Sequence, residues 1–273
     1  MRWKRLHVIL SSFVRRYPLN IVVCVKQVPD TAAQVVVENG QVTWGDAPLV
    51  INPWDEFAVE GALSLAEEHG GKVTVLTMGD ENAKEAIKHA LAMGCKEAIR
   101  IEGPADADAL VTAKVLAAAI QKIGDVDLVA FGRQAIDGDN GVTPALVGRF
   151  LGWPVLSLTA AVRSLEGNSI TVERAIEEGR QVVQANLPAV LSFSKDIGEP
   201  RYPSFMGIRK AARAKVPVWS LDELGVEVPA PAVSWPEVMN PPKREITTEM
   251  ITGDSPAEIA EKLADKIMAE KVL

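Results

Sequence analysis

The side chains of this chain best suited to hold a ligand fall in one stretch, Gly132-Arg133-Gln134-Ala135-Ile136-Asp137-Gly138-Asp139-Asn140-Gly141-Val142-Thr143. The apolar run Val129-Ala130-Phe131 before it reads as a buried strand, and Pro144 to Leu151 after it as a short helix. A strand that enters a Gly- and Asp-rich loop and leaves on a helix N-terminus is where an open α/β sheet binds a nucleotide. Unpaired N–H groups at the helix start favour phosphate oxygens, and Gly132, Gly138 and Gly141 allow close backbone approach. Asp137 and Asp139 would repel a phosphate. They suit ribose hydroxyls, helix capping or a bound cation. The same composition also serves ordinary turn chemistry, so the residues alone leave both readings open.

Other chemistry is thin. Cys24 and Cys95 lie far apart in no metal-ligand spacing, and His7, His69 and His89 are scattered. Neither a His/Cys metal cluster nor a histidine general base is expected, which argues against a hydrolase. Cys24 sits in an apolar run, where a free thiol behaves as a small hydrophobe. Cysteine usage fits a reduced, intracellular setting.

The elements that must position the loop follow from periodicity. Asn20 to Val28 is nearly all apolar and β-branched, as a fully buried parallel strand reads. Asn39-Gly40 predicts a hairpin turn between residues 35 and 44. Asn52-Pro53 starts a helix, with Asn as cap, Pro in the first turn and Asp55 and Glu56 at the positive end of the dipole. Gly70-Gly71 ends it. Strands at 73–78, 98–101 and 127–131 alternate with helices at about 81–93 and 107–123. That alternation predicts an α/β fold with a doubly wound, mostly parallel sheet. From Val155 to Phe193 four strands follow with tight turns between them, some expected to pair antiparallel on the sheet edge. A short basic helix is expected over Arg209 to Lys215, and an amphipathic one over Pro256 to Lys271.

The chain has 273 residues, 48% apolar and 24% charged, with a net charge of −7. That is an ordinary globular composition, and its sign argues against nucleic acid as a partner. Three segments emerge. Residues 1–19 carry Arg2, Lys4, Arg5, Arg15 and Arg16 and no acid, leaving 24 bases against 36 acids, a balance of −12, for the rest. They read as an extension or a start assigned too far upstream, with a mitochondrial-type transit peptide or an interfacial helix as the alternative. Residues 20–215 form the nucleotide-binding domain. Residues 216–273 are expected to form a Pro-rich arm and helix that extend from the sheet, packing on another subunit or domain or docking back onto their own domain.

Several motifs in order resemble the beta subunit of electron transfer flavoprotein. They are Val25-Lys26-Gln27-Val28-Pro29-Asp30, Asn52-Pro53-Trp54-Asp55-Glu56-Phe57-Ala58-Val59-Glu60 and Ala90-Leu91-Ala92-Met93-Gly94. Gln134-Ala135-Ile136-Asp137 follows, then Val172-Glu173-Arg174 with Leu187-Pro188-Ala189-Val190, then Glu199-Pro200-Arg201-Tyr202. The resemblance spans about residues 20–220. It implies an adenine nucleotide alpha hydrolase-like fold, and an electron-carrier subunit rather than an enzyme acting alone. It also implies an alpha-subunit partner that carries the redox FAD. The heterodimer would accept electrons from acyl-CoA dehydrogenases or similar flavoenzymes of fatty acid β-oxidation, and pass them to a membrane quinone oxidoreductase. It implies a structural AMP held by Cys24, Asn52, Pro53, Trp54, Asp55, Met78 and Gln134 to Thr143. Within that last stretch the positions are Gln134, Ala135, Ile136, Asp137, Gly138, Asp139, Asn140, Gly141, Val142 and Thr143. Arg174 falls at the subunit interface, and Tyr202 and Phe205 in the loop that docks the dehydrogenase. The expected compartment is a bacterial or archaeal cytoplasm, with the mitochondrial matrix as the alternative.

The sequence also departs from that family. Where the AMP-type pattern often has Asn-Gln-Thr-Gly, this chain has Gly141-Val142-Thr143-Pro144, and only Thr143 keeps its place. Asp137-Gly138-Asp139 instead resembles the electron-bifurcating branch, in which the same pocket holds a second FAD and NADH docks nearby. That branch usually continues Thr-Ala-Gln-Val-Gly-Pro, whereas this chain reads Asn140-Gly141-Val142-Thr143-Pro144, one residue shorter. AMP is the expectation. A nucleotide sensor of the universal-stress type shares the sheet logic, but its Gly-x-x-Gly run is absent here.

Overall fold

Leu19–Cys24 (β1) is apolar at all but one position and buried at five of six residues, so it needs cover on both faces. The computed structural model supplies that cover, and it describes residues 18–104, 107–227, 229–235, 237–240, 242 and 247–270. The expectations for the N-terminal extension fall, from residue 1 to 17, outside the described residues. Short strands Gln27–Pro29 (β2) and Leu49–Ile51 (β5) pair antiparallel. Between them Val36–Glu38 (β3) and Gln41–Thr43 (β4) form the hairpin expected at Asn39-Gly40, with φ of 52° and 74° at the two turn residues.

Pro53–His69 (α1) leads to Gly71–Met78 (β6), then Lys84–Met93 (α2), Glu97–Ile101 (β7), Ala109–Ile123 (α3), Leu128–Gly132 (β8) and Thr143–Leu151 (α4). Val155–Glu166 (β9), Ser169–Ile176 (β10), Gly179–Asn186 (β11) and Ala189–Phe193 (β12) are the predicted run of strands. The main sheet has nine strands in the order β11-β10-β9-β12-β8-β1-β6-β7, closed by Val218–Trp219 (β13). Pairing is parallel from β9 to β13, and antiparallel only at the β9, β10 and β11 edge.

Alternation along each strand divides the core. Ile21, Val23, Val75 and Leu191 face α1 and α2, while Val22, Cys24, Leu76 and Val190 face α3 and α4. β1 is the hinge of the topology. The chain moves from β1 outward through β6 and β7, then returns to β8 on the other side of β1. Loops leaving the C-terminal ends of β1 and β8 therefore part in opposite directions and open a crevice, the usual ligand position in such sheets.

Two expectations need correction. The basic helix predicted over Arg209 to Lys215 runs instead over Phe205–Ala211 (α5), because the Ser204 hydroxyl caps it by accepting the Gly207 N–H at 2.9 Å. The chain beyond residue 215 does not leave the sheet at once. Val218 and Trp219 pair with β7, and Leu221–Leu224 (α6) follows with a capping box from Ser220 and Glu223. Beyond it, the described part of the arm forms one further helix, Pro256–Ala269 (α7). None of the helices among the described residues is long and apolar enough to cross a membrane.

Candidate functional site

Asn52 stands just before α1, where the sequence predicts a cap, yet its side chain makes no capping bond. It crosses the crevice instead. Its Nδ2 donates to the Gln134 carbonyl at 2.8 Å, and its Oδ1 accepts from the Ile136 N–H at 3.2 Å. Its own N–H donates to the Lys26 carbonyl at 2.8 Å. Residue 52, 1% exposed, thus ties the loop after β1, through its backbone N–H, to the loop after β8, through its side chain.

Asp55, one turn into α1, is buried at 6% exposure. Its Oδ2 accepts the Lys26 N–H at 2.7 Å. Burial pushes its carboxyl up from 3.8 to about 7, opposed by hydrogen bonds from the Lys26 backbone, the Asn52 side chain and the Gly132 backbone, and by the Lys26 charge. The close approach of Gly132 is what buries it. A Cβ on Gly132 would stand 2.4 Å from Asp55 Oδ1 and 2.6 Å from the Trp54 carbonyl. Behind them, burial first and the Asp55 charge second push the Cys24 thiol well up, so it is no thiolate nucleophile. Burial likewise pushes Cys95 up to about 12.

That carboxyl makes stability depend on pH. The folded state holds the proton more tightly than the unfolded chain, so its contribution is full below the ordinary value of 3.8 and is lost as pH rises through about 7. Between pH 5 and 8 the wild-type chain should lose roughly 2–3 kcal/mol from this group. Asp55→Asn keeps an acceptor for the Lys26 N–H and should flatten that slope. Unfolding midpoints at pH 5, 6.5 and 8 check it, and parallel slopes for the two proteins would refute it.

The predicted loop is folded on itself. Lys26 Nζ pairs with Asp137 at 2.6 Å, and Gln134 Nε2 donates to Asp139 Oδ1. The two aspartates are thus taken up by protein groups, and no cluster of three metal-ligating side chains occurs among the described residues. Asn140 Oδ1 accepts the Val142 N–H at 3.3 Å. Gly141 turns the chain at φ 61°. No side chain caps α4, whose first residue is Thr143, leaving N–H groups at its start for a ligand. An orphan acceptor lies at the same end of the sheet: Gln27 Oε1 is buried with no partner.

The structure therefore brings Asn52, Pro53, Trp54 and Asp55 against the Gly132 to Thr143 loop, with Cys24 beneath. Met78 ends a strand at the same side of the sheet but leans on Gly103, where a Cβ would sit 2.6 Å from its sulfur. Lys26 and Arg133 were not among the expected site residues. Arg133 lies 5.5 Å over the Trp54 ring, and the two supply the positive charge here. Two cavities lie elsewhere, about 980 Å3 beside α5 and about 570 Å3 beside the β3–β4 hairpin. Topology and polar groups, not volume, single out the crevice.

Arg174 stays within the chain, donating to the Ser157 carbonyl at 2.8 Å and the Ser157 hydroxyl at 2.6 Å. Arg201 clamps the segment before α5 to α1, meeting Glu60 at 2.8 Å and Glu67 at 2.6 Å. Burial pushes the Glu60 carboxyl up, but the hydrogen bonds and charge of Arg201 together hold it below its ordinary value. Beyond the clamp Tyr202 and Phe205 stand 95% and 73% exposed.

Residues 42–224 match the electron transfer flavoprotein domain. The electron transfer flavoprotein subunit beta of Mycobacterium leprae (strain TN) is 39% identical over 267 residues, covering 93% of this chain and 99% of that protein. That of Bacillus subtilis (strain 168) is 32% identical over 256 residues, covering 92% and 98%. The Caffeyl-CoA reductase-Etf complex subunit CarD of Acetobacterium woodii is 33% identical over 264 residues, covering 93% and 100%. With a domain match over most of its length and relatives of nearly its own span, the chain belongs to the electron transfer flavoprotein beta-subunit family, a family of electron-carrier subunits.

Proposed function

We propose that the chain forms a heterodimer with an electron transfer flavoprotein alpha subunit and holds one AMP in the crevice between β1 and β8. AMP there is structural; the redox FAD belongs to the alpha subunit. The heterodimer accepts electrons from acyl-CoA dehydrogenases or similar flavoenzymes and delivers them to a membrane quinone oxidoreductase, in a bacterial or archaeal cytoplasm. The observation that carries the proposal is the Asn52 bridge, which joins two loops at the switch point into one polar crevice. The crevice offers uncapped N–H groups, Lys26 and Arg133 to a phosphate. Asp55 and Gln27 offer polar atoms deeper in. Nothing in it is a nucleophile, which suits a ligand that is held rather than turned over.

The division of labour follows. The α/β domain through β13 and α6 binds the nucleotide, and the arm beyond them carries α7 to the alpha subunit. In support, Leu263, Ile267 and Met268 of α7 are 47%, 36% and 71% exposed on this chain. Arg174, near the antiparallel edge, fits the subunit interface. In a second reading the crevice holds a second FAD and the complex takes electrons from NADH. Asp137-Gly138-Asp139 favours it, though Lys26 and Gln134 already engage both acids. Stopped-flow reduction separates the two. The heterodimer's flavin should be reduced by an acyl-CoA dehydrogenase with its substrate and not by NADH alone; rapid reduction by NADH would favour bifurcation.

Phe205→Ala tests the docking surface. A desolvated aromatic anchor is worth on the order of 2 kcal/mol, roughly thirtyfold in affinity. Phe205 is mostly solvent-exposed here, so its loss should barely move the melting temperature. Transfer from the dehydrogenase should weaken while flavin spectrum and nucleotide content stay unchanged. Unchanged turnover with a lowered melting temperature would place Phe205 in the fold instead.

A further inference from the structure

The nine-stranded sheet ends differently at its two edges. At one it closes on β13, a strand of two residues, and an edge that short offers little to a neighbour. At the other it ends on β11, eight residues long and exposed at six of them, with Val182 58% exposed. The features that usually blunt such an edge are missing from β11. Its register with β10 runs through eight pairs without a bulge, and from Gln181 to Asn186 it holds neither a proline nor a charge.

The ladder fixes which backbone groups face out. The Leu187 N–H donates to the Asn168 carbonyl at 2.9 Å, one step beyond the Ser169–Asn186 pair, so 168 and 187 form a hydrogen-bonded pair. Antiparallel pairs alternate, which turns the N–H and C=O of Arg180, Val182, Gln184 and Asn186 away from β10. No group among the described residues meets them. The described part of the C-terminal arm is anchored elsewhere. The Ala232 and Val233 N–H groups donate to Asp108 at 2.6 and 3.1 Å, and the Asn240 amide brackets the backbone of Val37. On the core face of β11, Val183 and Ala185 are partly buried, and their apolar row stops at the edge.

We propose, on the strength of the heterodimer reading above, that the outer edge of β11 takes a β-strand of the alpha subunit, so that one sheet runs through both subunits. The added strand would meet the outward N–H and C=O groups of Arg180, Val182, Gln184 and Asn186, and its apolar residues would extend the row of Val183 and Ala185. Two observations select the alpha subunit as occupant. Arg174, expected at the subunit interface, lies on the adjoining β10, and its Nη1 donates to Gln181 Oε1 on β11 at 3.3 Å. An unblunted edge also invites aggregation unless it is covered whenever the protein is folded, which a permanent partner achieves and a transient one does not.

Hydrogen exchange on the purified wild-type heterodimer tests this without any substitution. The outward amides of Val182, Gln184 and Asn186 should exchange within about tenfold of the inward amides of Gln181, Val183 and Ala185. Outward amides exchanging about a hundredfold faster than inward ones, in an intact heterodimer, would overturn the proposal alone. A wild-type chain that does not co-purify with its alpha subunit would defeat the heterodimer reading and the proposal together. Substitution adds the identity of the occupant. Val182→Pro removes one outward N–H and leaves the ladder to β10 in place, whereas Val182→Thr keeps that N–H. The proline variant should raise the dissociation constant of the heterodimer about tenfold, and Val182→Thr should raise it less than about twofold. Equal affinity of the two variants would overturn the proposal even with the edge protected, and a sedimentation mass of two heterodimers would then assign the edge to a second copy of this chain.

Discussion

Gly132→Ala is expected to cost the fold about 3 kcal/mol or more and to strip the nucleotide from the crevice. The added carbon would stand 2.4 Å from Asp55 Oδ1 and 2.6 Å from the backbone of Trp54. Neither neighbour can yield cheaply. Trp54 is met at main-chain atoms of the first helical turn, and Asp55 is held by the Lys26 N–H at 2.7 Å. Relief would require α1 to move off β8, which widens the crevice that Asn52 closes. A loss of about 3 kcal/mol corresponds to a melting temperature roughly 6–12 °C lower in a domain of this size. Gly138→Ala, in the same loop, is the control. Nothing lies within 4 Å of a Cβ there, so it should change stability by less than about 0.5 kcal/mol. Calorimetry of both variants decides the matter; equal melting temperatures would show that close contact at Gly132 does not hold the site together.

Asn52→Ala should cost about 2–4 kcal/mol, because it leaves the Gln134 carbonyl and the Ile136 N–H without the partners they have at 2.8 and 3.2 Å. Residue 52 is buried, so water cannot simply replace the lost amide. The damage should be directional. The loop from Arg133 to Val142 is held to β1 through this side chain and the Lys26–Asp137 pair, the latter half-exposed and weak. Nucleotide retention through gel filtration should therefore fall at least about tenfold, whereas sheet content by circular dichroism stays native. Retention equal to wild type would remove Asn52 from the site. Loss of the nucleotide together with the fold would make it a structural residue only.

Much of this architecture was legible because the signals are local. β1, β6 and β8 each carry a run of consecutive buried residues, which only a sheet covered on both faces can bury. Asn39-Gly40 announces its hairpin, and Gly70 and Gly94 close the helices they were expected to close. The resemblance puts the proposed nucleotide crevice at the ends of those strands. What was not legible depends on distant partners. Asn52 before Pro53 carries the local signature of a helix cap, yet its bonds go to residues more than eighty positions away. Asp55 reads as a surface acid at a helix start until β8 covers it and raises its carboxyl to about 7. The run of bases after Arg209 drew the expected helix too far along the chain, while the deciding residue was the small cap Ser204. A two-residue strand such as β13 has no period to read. Its place is set by hydrogen bonds to β7, and local sequence carries no record of them.

The nucleotide released when the wild-type heterodimer is denatured tests the assignment of the crevice most directly. Chromatography and mass spectrometry of the supernatant should find one AMP and one FAD per heterodimer, with AMP reduced in Asn52→Ala and FAD retained. Two FAD and no AMP per heterodimer would contradict the assignment and put the second flavin where AMP is proposed.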